Sequence, residues 1–300
     1  MLKNYFKTTL RSFRKNKAFA LINLLGLSVG LAASIFILQY AFFHLSFDKY
    51  NSKSDRVFRV MNERFEGDQM IQRGQITYSA VGPQLAEDYP EVLRHTTVNT
   101  LGTNVFRYNE HVTEVNATLM VEPSYFDMFD VELLAGNPET LVSDGYQVVL
   151  TESMAQKVFQ TTDGNWTEYI GEILEMGSSR LQWQVSGVVA DPPANSSLQY
   201  EVLMSRVTTF TWWGESARFS WNSSDYFHYI ELADGVSQKD FESKLEAFSA
   251  KYFRGNEVTG TFEEFHLQPL EEVHLYSDYE YEIHQIPVLE QLVLYDHLRM

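Results

Sequence analysis

The densest grouping of side chains able to ligate a metal or move a proton is Glu271-Glu272-Val273-His274. Carboxylates beside an imidazole could form a weak metal site, but durable zinc sites draw three or four ligands from set spacings. The eight histidines are scattered, and none pairs with a second histidine at such a spacing. The group therefore reads as a solvated edge after a strand. Trp212-Trp213 with Trp221 could line a ligand pocket. Packing in a core or between subdomains is the preferred reading for three indoles.

No GxxxxGK[ST] phosphate loop is present, so the chain is not expected to bind and hydrolyse ATP itself. HExxH is missing as well. With no cysteine in 300 residues, thiol catalysis, disulfides and thiolate metal sites are excluded. No cofactor is expected, and nothing in the sequence argues for an enzyme.

The element that must position everything else is Phe19 to Phe43. These 25 residues carry no charge, and 19 of them are apolar or aromatic. At 1.5 Å per residue a helix of this length is roughly 37 Å long, enough to cross a bilayer core of about 30 Å. Its 14 Leu, Ile, Val and Phe residues favour membrane entry by roughly 4 to 8 kcal/mol. A cleaved signal peptide has a shorter core and a small-residue cleavage site, whereas this stretch ends in Gln39, Tyr40, Phe42 and Phe43. An uncleaved transmembrane helix is expected.

Charge orients it. Lys3, Lys7, Arg11, Arg14, Lys15 and Lys17 precede the span with no acid among them. Of the chain's 23 Lys and Arg and 40 Asp and Glu, 17 and 40 fall beyond it, so residues 44–300 carry −23. Cationic flanks stay on the cytoplasmic side, which places the amino terminus inside and the bulk of the chain outside. Leu2, Tyr5, Phe6, Leu10 and Phe13 share one helical face opposite the cations. Residues 1–18 thus read as a basic interfacial helix lying on membrane lipid. Within the span, Gly26, Gly30 and Ser34 repeat every four residues, a spacing that lets membrane helices approach closely. The strong negative charge of the outer part argues against nucleic acid as a partner.

The 257 residues after the span suffice for one large or two modest domains. Strands are expected at 56–62, 92–99, 105–108, 111–121, 148–150, 183–189, 226–232 and 262–270 from their β-branched and alternating residues. Helices are expected over Thr77–Tyr89, after a Thr151 cap to Phe159, and over Val236–Tyr252. Val288–Tyr295 could start another. The elements alternate without doubly wound regularity, so the class is α+β.

Several stretches, in order, resemble the bacterial MacB-like, FtsX-family permeases of ABC transporters. They are Asn23-Leu24-Leu25-Gly26-Leu27, Phe47-Asp48-Lys49-Tyr50-Asn51, Arg56-Val57-Phe58-Arg59-Val60 and Tyr89-Pro90-Glu91-Val92. The set continues with Tyr125-Phe126-Asp127-Met128-Phe129, Val148 to Ala155, Val185-Ser186-Gly187-Val188-Val189 and Asp191 to Ser196. The resemblance covers residues 20 to 276 and implies a periplasmic core domain at 47–276. In it, a porter-like β-α-β part (47–122 and 225–276) holds a Sabre-like insertion (123–224). It also implies a non-catalytic permease subunit that passes motion from a separate cytoplasmic ATPase to the outer domain. A homodimeric or pseudo-dimeric assembly in the bacterial inner membrane and a possible periplasmic adaptor would go with it. The family continues into further membrane spans, and here residues 277–300 lead toward a second span that the sequence does not contain. A front portion of a longer permease, or a truncated product, is expected.

Two other classes compete. A single-pass anchored sensor or ligand-binding module is weakened by an inner segment of only 18 residues. An anchored hydrolase would need an acid–base pair that the sequence does not disclose.

Overall fold

The computed structural model describes residues 15, 17–74, 76–222, 224–253 and 260–277. The chain divides into two units, Met1–Ser46 and Phe47–Met300. In the first, a single helix, α1 (Lys17–Leu45), contains the whole expected span. It is apolar on all sides and exposed over nearly its full length, as suits a helix solvated by lipid rather than packed in a water-soluble core. Of the expected interfacial helix over residues 1–18, residues 1–14 and 16 lie outside the described residues, as does the helix expected from Val288 to Tyr295.

The second unit is built on one mixed sheet of eleven strands. In chain order these are β1 (Val57–Glu66), β2 (Gln69–Gly74), β3 (Val92–Tyr108), β4 (His111–Val121), β5 (Leu133–Gly136) and β6 (Gln147–Thr151). Then come β7 (Ile173–Met176), β8 (Leu181–Val189), β9 (Val202–Ser205), β10 (Phe227–Leu232) and β11 (Thr261–Pro269). The spatial order is β11-β1-β10-β3-β4-β9-β6-β8-β5, with β2 on β1 and β7 bridging β3 and β8. Most pairs are antiparallel; β4–β9 and β6–β8 are parallel. The α+β class expected from the sequence is the class observed.

β3 organises the sheet. Its first half, Val92–Val98, pairs with β10, and its second half, Asn99–Tyr108, pairs with β4. The sequence pattern suggested two strands here. Instead one 17-residue strand, roughly 55 Å long, passes two register shifts between Thr100 and Asn104. Gly102, at φ 62°, takes the backbone conformation that such an irregularity needs. Asn109, at φ 53°, turns the chain into β4.

Helices cover the sheet: α2 (Val81–Asp88), α3 (Ser124–Met128), α4 (Glu152–Phe159), α5 (Val207–Trp213), α6 (Gln238–Glu242), α7 (Leu245–Tyr252) and α8 (Val273–Tyr276). α2 starts four residues later than expected because Thr77 is drawn into an antiparallel bridge with Tyr226. The single helix expected over Val236–Tyr252 breaks at Ser243-Lys244, where the Ser243 hydroxyl donates to the Asp240 carbonyl at 2.7 Å. Phe241, Leu245 and Phe248 still share one core. β2, β5, β7, β9, α3, α5 and α8 were not foreseen; β5, β7 and β9 are each four residues long, and β7 and β9 show no clean alternation.

Three apolar clusters result. One, around Phe58, Val60, Leu85 and Phe248, lies under β1, β10 and β11. Another, around Trp183, Val148, Leu150 and Met154, lies under β6 and β8. Between them Val98, Leu119, Tyr125, Phe129 and Tyr229 fill the sheet's middle. α4 shows how locally this is specified. Thr151, in extended conformation, accepts from the Met154 amide at 3.3 Å, and Gln160 closes the helix at φ 56°. Thr151→Ala is expected to lower unfolding stability by about 1 kcal/mol in urea denaturation, with Thr151→Ser restoring most of it.

Candidate functional site

The residues singled out in the sequence do not converge. Gly26, Gly30 and Ser34 fall along one side of α1, and a Cβ added at either glycine would meet nothing within 4 Å. Ser34 donates back to the Gly30 carbonyl at 2.9 Å. Gly26-Leu27-Ser28-Val29-Gly30 spells GxSxG. That motif activates serine only on a strand-to-helix turn, whereas Ser28 lies mid-helix, donating to the Leu24 carbonyl at 2.7 Å. Of the basic anchor, Lys15 and Lys17 are exposed and helical; Lys3, Lys7, Arg11 and Arg14 lie outside the described residues.

Trp221 parts from the other two indoles, while Trp212 and Trp213 meet edge to face at 6.0 Å. Trp221 stacks on Tyr252 at 4.7 Å within the β1–β10–β11 cluster. Trp212 donates to the Tyr146 hydroxyl at 2.6 Å, and Trp213 stays 66% exposed. The reading of Glu271 to His274 as a solvated edge is corrected. Ser54 donates to Glu271 at 2.7 Å, and His274 is buried, its ring stacked on Phe47. This segment clamps the start of the outer unit.

What the fold does bring together is a buried ion cluster. β4 and β9 run parallel with Val121 opposite Ser205, so the next residues, Glu122 and Arg206, emerge side by side. Arg206 is 0% exposed. Its Nη1 donates to Glu122 Oε1 at 2.8 Å and its Nη2 to Ser79 Oγ at 2.5 Å. Arg218 donates to the same carboxylate oxygen at 2.9 Å, and the Thr97 amide reaches the other at 3.2 Å. Phe210 is flanked by both guanidiniums, at 5.0 and 4.2 Å, while Tyr226 faces Arg206 at 4.8 Å. These rings supply cation–π attraction where water is absent.

Two histidines complete it. Burial lowers the His95 pKa against the pull of Glu122, and burial with the nearby Arg206 charge holds His228 well below its ordinary value. His228 is therefore neutral. Its Nε2 lies 2.8 Å from the Tyr78 carbonyl, which only accepts, so Nε2 carries the proton and Nδ1 accepts from Thr97 Oγ1 at 3.2 Å. A Cβ on Gly82 would come within 2.4 Å of that Nδ1, which explains a glycine in the first turn of α2. The sequence signal was available: Glu122 directly follows the apolar run Leu119–Val121, and Arg206 follows Val202–Met204 after one serine.

A second convergence joins three of the ordered sequence blocks. Asp48, Tyr50 and Asn51 meet Tyr125 of α3, Phe129 just after it, and Asp191 to Ser196 around a cleft of about 120 Å³. The Asp48 amide donates to the Asn195 carbonyl, and its Oδ1 accepts from the Ser197 amide, both at 2.9 Å. The Tyr50 hydroxyl donates to Ser196 Oγ at 2.8 Å. Asp48 is 1% exposed, and burial pushes its carboxyl up to about 6.

The sequence from residue 20 to residue 248 matches the MacB-like periplasmic core domain. The chain belongs to that family. In fold, a domain of a putative permease protein from Porphyromonas gingivalis superposes with a TM-score of 0.59 at 24% identity, over 81% of this chain and 98% of that one. The periplasmic region of MacB from Actinobacillus actinomycetemcomitans gives 0.45 at 16%, over 71% of this chain and 90% of that one. The extracellular domain of the noncanonic ABC-type transporter YknZ from Gram-positive bacteria gives 0.41 at 14%, over 70% and 99%. Among curated proteins none matches at a significant level. The ion cluster and the Asp48 cleft both fall inside the residues matched to the MacB-like core domain.

Neither is arranged for covalent chemistry. In the cluster Glu122 is held by both guanidiniums, with Arg206 buried and Arg218 partly exposed. Glu122→Gln would leave the buried Arg206 guanidinium undercompensated, and breaking such a pair costs about 3–5 kcal/mol; chemical denaturation is expected to show a loss of that size. For Asp48 the sign is opposite to that of a salt-bridged carboxylate. Its folded value exceeds the unfolded one, so stability is highest below about pH 4 and falls as pH rises to about 6, by roughly 3 kcal/mol. Asp48→Asn keeps an acceptor and tolerates the residue's φ of 59°. Thermal melts at pH 4 and 7.5 should show the variant more stable than the parent at the higher pH and nearly equal at the lower.

Proposed function

We propose that this chain is the amino-terminal part of an ABC transporter permease, transmitting ATP-driven motion from a separate cytoplasmic ATPase to an extracytoplasmic domain. The observation that carries this is a single family match beginning inside the apolar helix, at residue 20, and running through the outer unit to residue 248. Membrane span and core domain are thus one inherited piece. The chain itself does no chemistry in this reading; export, efflux or mechanical action on the cell envelope is powered by the partner.

The charge asymmetry supports an amino terminus in the cytoplasm, with Lys3, Lys7, Arg11, Arg14, Lys15 and Lys17 on anionic lipid. The open side of α1 bearing Gly26, Gly30 and Ser34 suits a second membrane helix, from a homodimer or from further permease spans. The outer unit is taken as a porter-like part, 47–122 and 225–276, with the insertion at 123–224. β3 and β4 are then the strands where the parts join, because β4 pairs with β9 of the insertion while β3 pairs with β10. A periplasmic adaptor could dock on the insertion.

Because the chain has no cysteine, single-cysteine labelling is clean. A membrane-impermeant maleimide should label Asp234→Cys in intact spheroplasts and Lys7→Cys only after permeabilisation. Co-purification in detergent with an ATPase subunit encoded at the same locus should be retained. An outward amino terminus, or no ATPase bound in vivo or in detergent, would overturn the reading.

A further inference from the structure

We propose that Glu63, Glu264 and His266 form a binding site for a divalent transition metal, zinc by its donor set, on the exposed face of the β1–β11 ladder. Glu63 and Glu264 stand directly opposite each other in register, and His266 opposes Met61 one same-face step along. Side chains two residues apart on a strand point the same way, so all three project from one face. Their ligand atoms lie within 4.8 Å of one another. His266 Nε2 is 3.5 Å from Glu63 Oε2 and 3.9 Å from Glu264 Oε2.

The 3.5 Å separation is close to the edge of a coordination tetrahedron, and the 3.9 Å one needs a side-chain shift of about half an ångström to reach it. Metal–ligand bonds of about 2.0–2.1 Å place neighbouring tetrahedral ligands about 3.3–3.4 Å apart. The same distances exceed a hydrogen bond, and His266 Nε2 is shielded from solvent without a hydrogen-bond partner although the residue is partly exposed. Two carboxylates directly across a ladder repel, and a cation between them removes that cost. Arg73 donates to Glu63 from β2 at 2.7 Å, through the oxygen that does not face the imidazole. It therefore orients the carboxylate rather than occupying the site, as partners of metal-binding carboxylates do.

The surroundings suit a metal. Phe65 and Phe262, the next pair on this face, stack at 5.0 Å, and Met61 on the other side is buried. Apolar flanks lower local solvent access, which strengthens charge attraction at the site. Imidazole nitrogen with carboxylate oxygen favours zinc over calcium or magnesium, which prefer all-oxygen sets. Three protein ligands leave a fourth position for water or for a donor from another molecule. All three sit on paired strands, so binding needs no backbone rearrangement.

The test uses the full chain in detergent, without a polyhistidine tag and stripped of metal by chelator. Zn²⁺ titrated by calorimetry should bind at one site per chain and raise the melting temperature, an effect that excess EDTA reverses. Co²⁺ should give the strong visible absorption of a four-coordinate site. Glu264→Gln and His266→Gln, both at partly exposed positions and expected to fold, should each weaken binding at least tenfold. His111→Gln, at an exposed histidine elsewhere, should not. Absence of zinc binding by the parent chain would overturn the proposal. So would undiminished binding in both site variants, which would mark an adventitious ion only, or displacement of zinc by an equal concentration of Ca²⁺.

Discussion

The outer unit is held in one register by a carboxylate shared between two guanidiniums. β4 and β9 meet over only four residue pairs, too few for backbone bonds alone to exclude a slip. A one-residue slip would move every side chain of β9 to the wrong face. It would also part Glu122 from Arg206 and leave both charges in an apolar interior. The penalty for that is far larger than the worth of any one ladder bond. A buried ion pair is a poor source of net stability, because desolvation cancels most of its attraction. Its value here is discrimination between registers.

Around that pair the packing tolerates little. Arg206 lies against Phe210 and Tyr226, its Nη2 holds Ser79 ahead of α2, and the Ser79 hydroxyl in turn donates to the Arg218 carbonyl at 3.1 Å. His228, on the fully buried strand β10, ties Tyr78 to Thr97 through its two ring nitrogens. Strands β3, β4, β9 and β10 and the entry to α2 are thus fastened at one point. A similar rule governs the buried acid on β10: Glu231 is balanced by Arg56 at 3.1 Å and Arg94 at 2.7 Å. Asp48 is the counter-example: among the described residues no ion pair is formed by its buried carboxyl, and burial pushes its pKa up.

Much of this was legible in the sequence because it is written locally. The uncharged run from Phe19 to Phe43, the Thr151 cap and the alternation in β4 and β8 each depend on neighbouring residues only. Family membership was legible from the ordered blocks, although no block alone carries it. The misses are non-local. Thr77 has good capping chemistry, yet a bridge to Tyr226, about 150 residues away, takes it from the helix. β9 has four residues and gains its identity from β4 and β6. Glu63 and His266 are unremarkable in the sequence and become neighbours only through the β1–β11 register. Glu122 and Arg206 were visible as lone charges just after apolar runs, but their pairing required the topology.

The β1–β11 ladder also bears on how the chain comes to be folded. Asn62 and Glu263, partners across it, are 201 residues apart. At a synthesis rate of about 5–20 residues per second, β1 waits roughly 10–40 s for that partner. During the wait only β2 can pair with it locally, so one edge of β1 stands open. Closure of this sheet is a late, long-range event of the kind that folds slowly. Synthesis from the amino terminus therefore delivers the strands in the order least convenient for the sheet's completion.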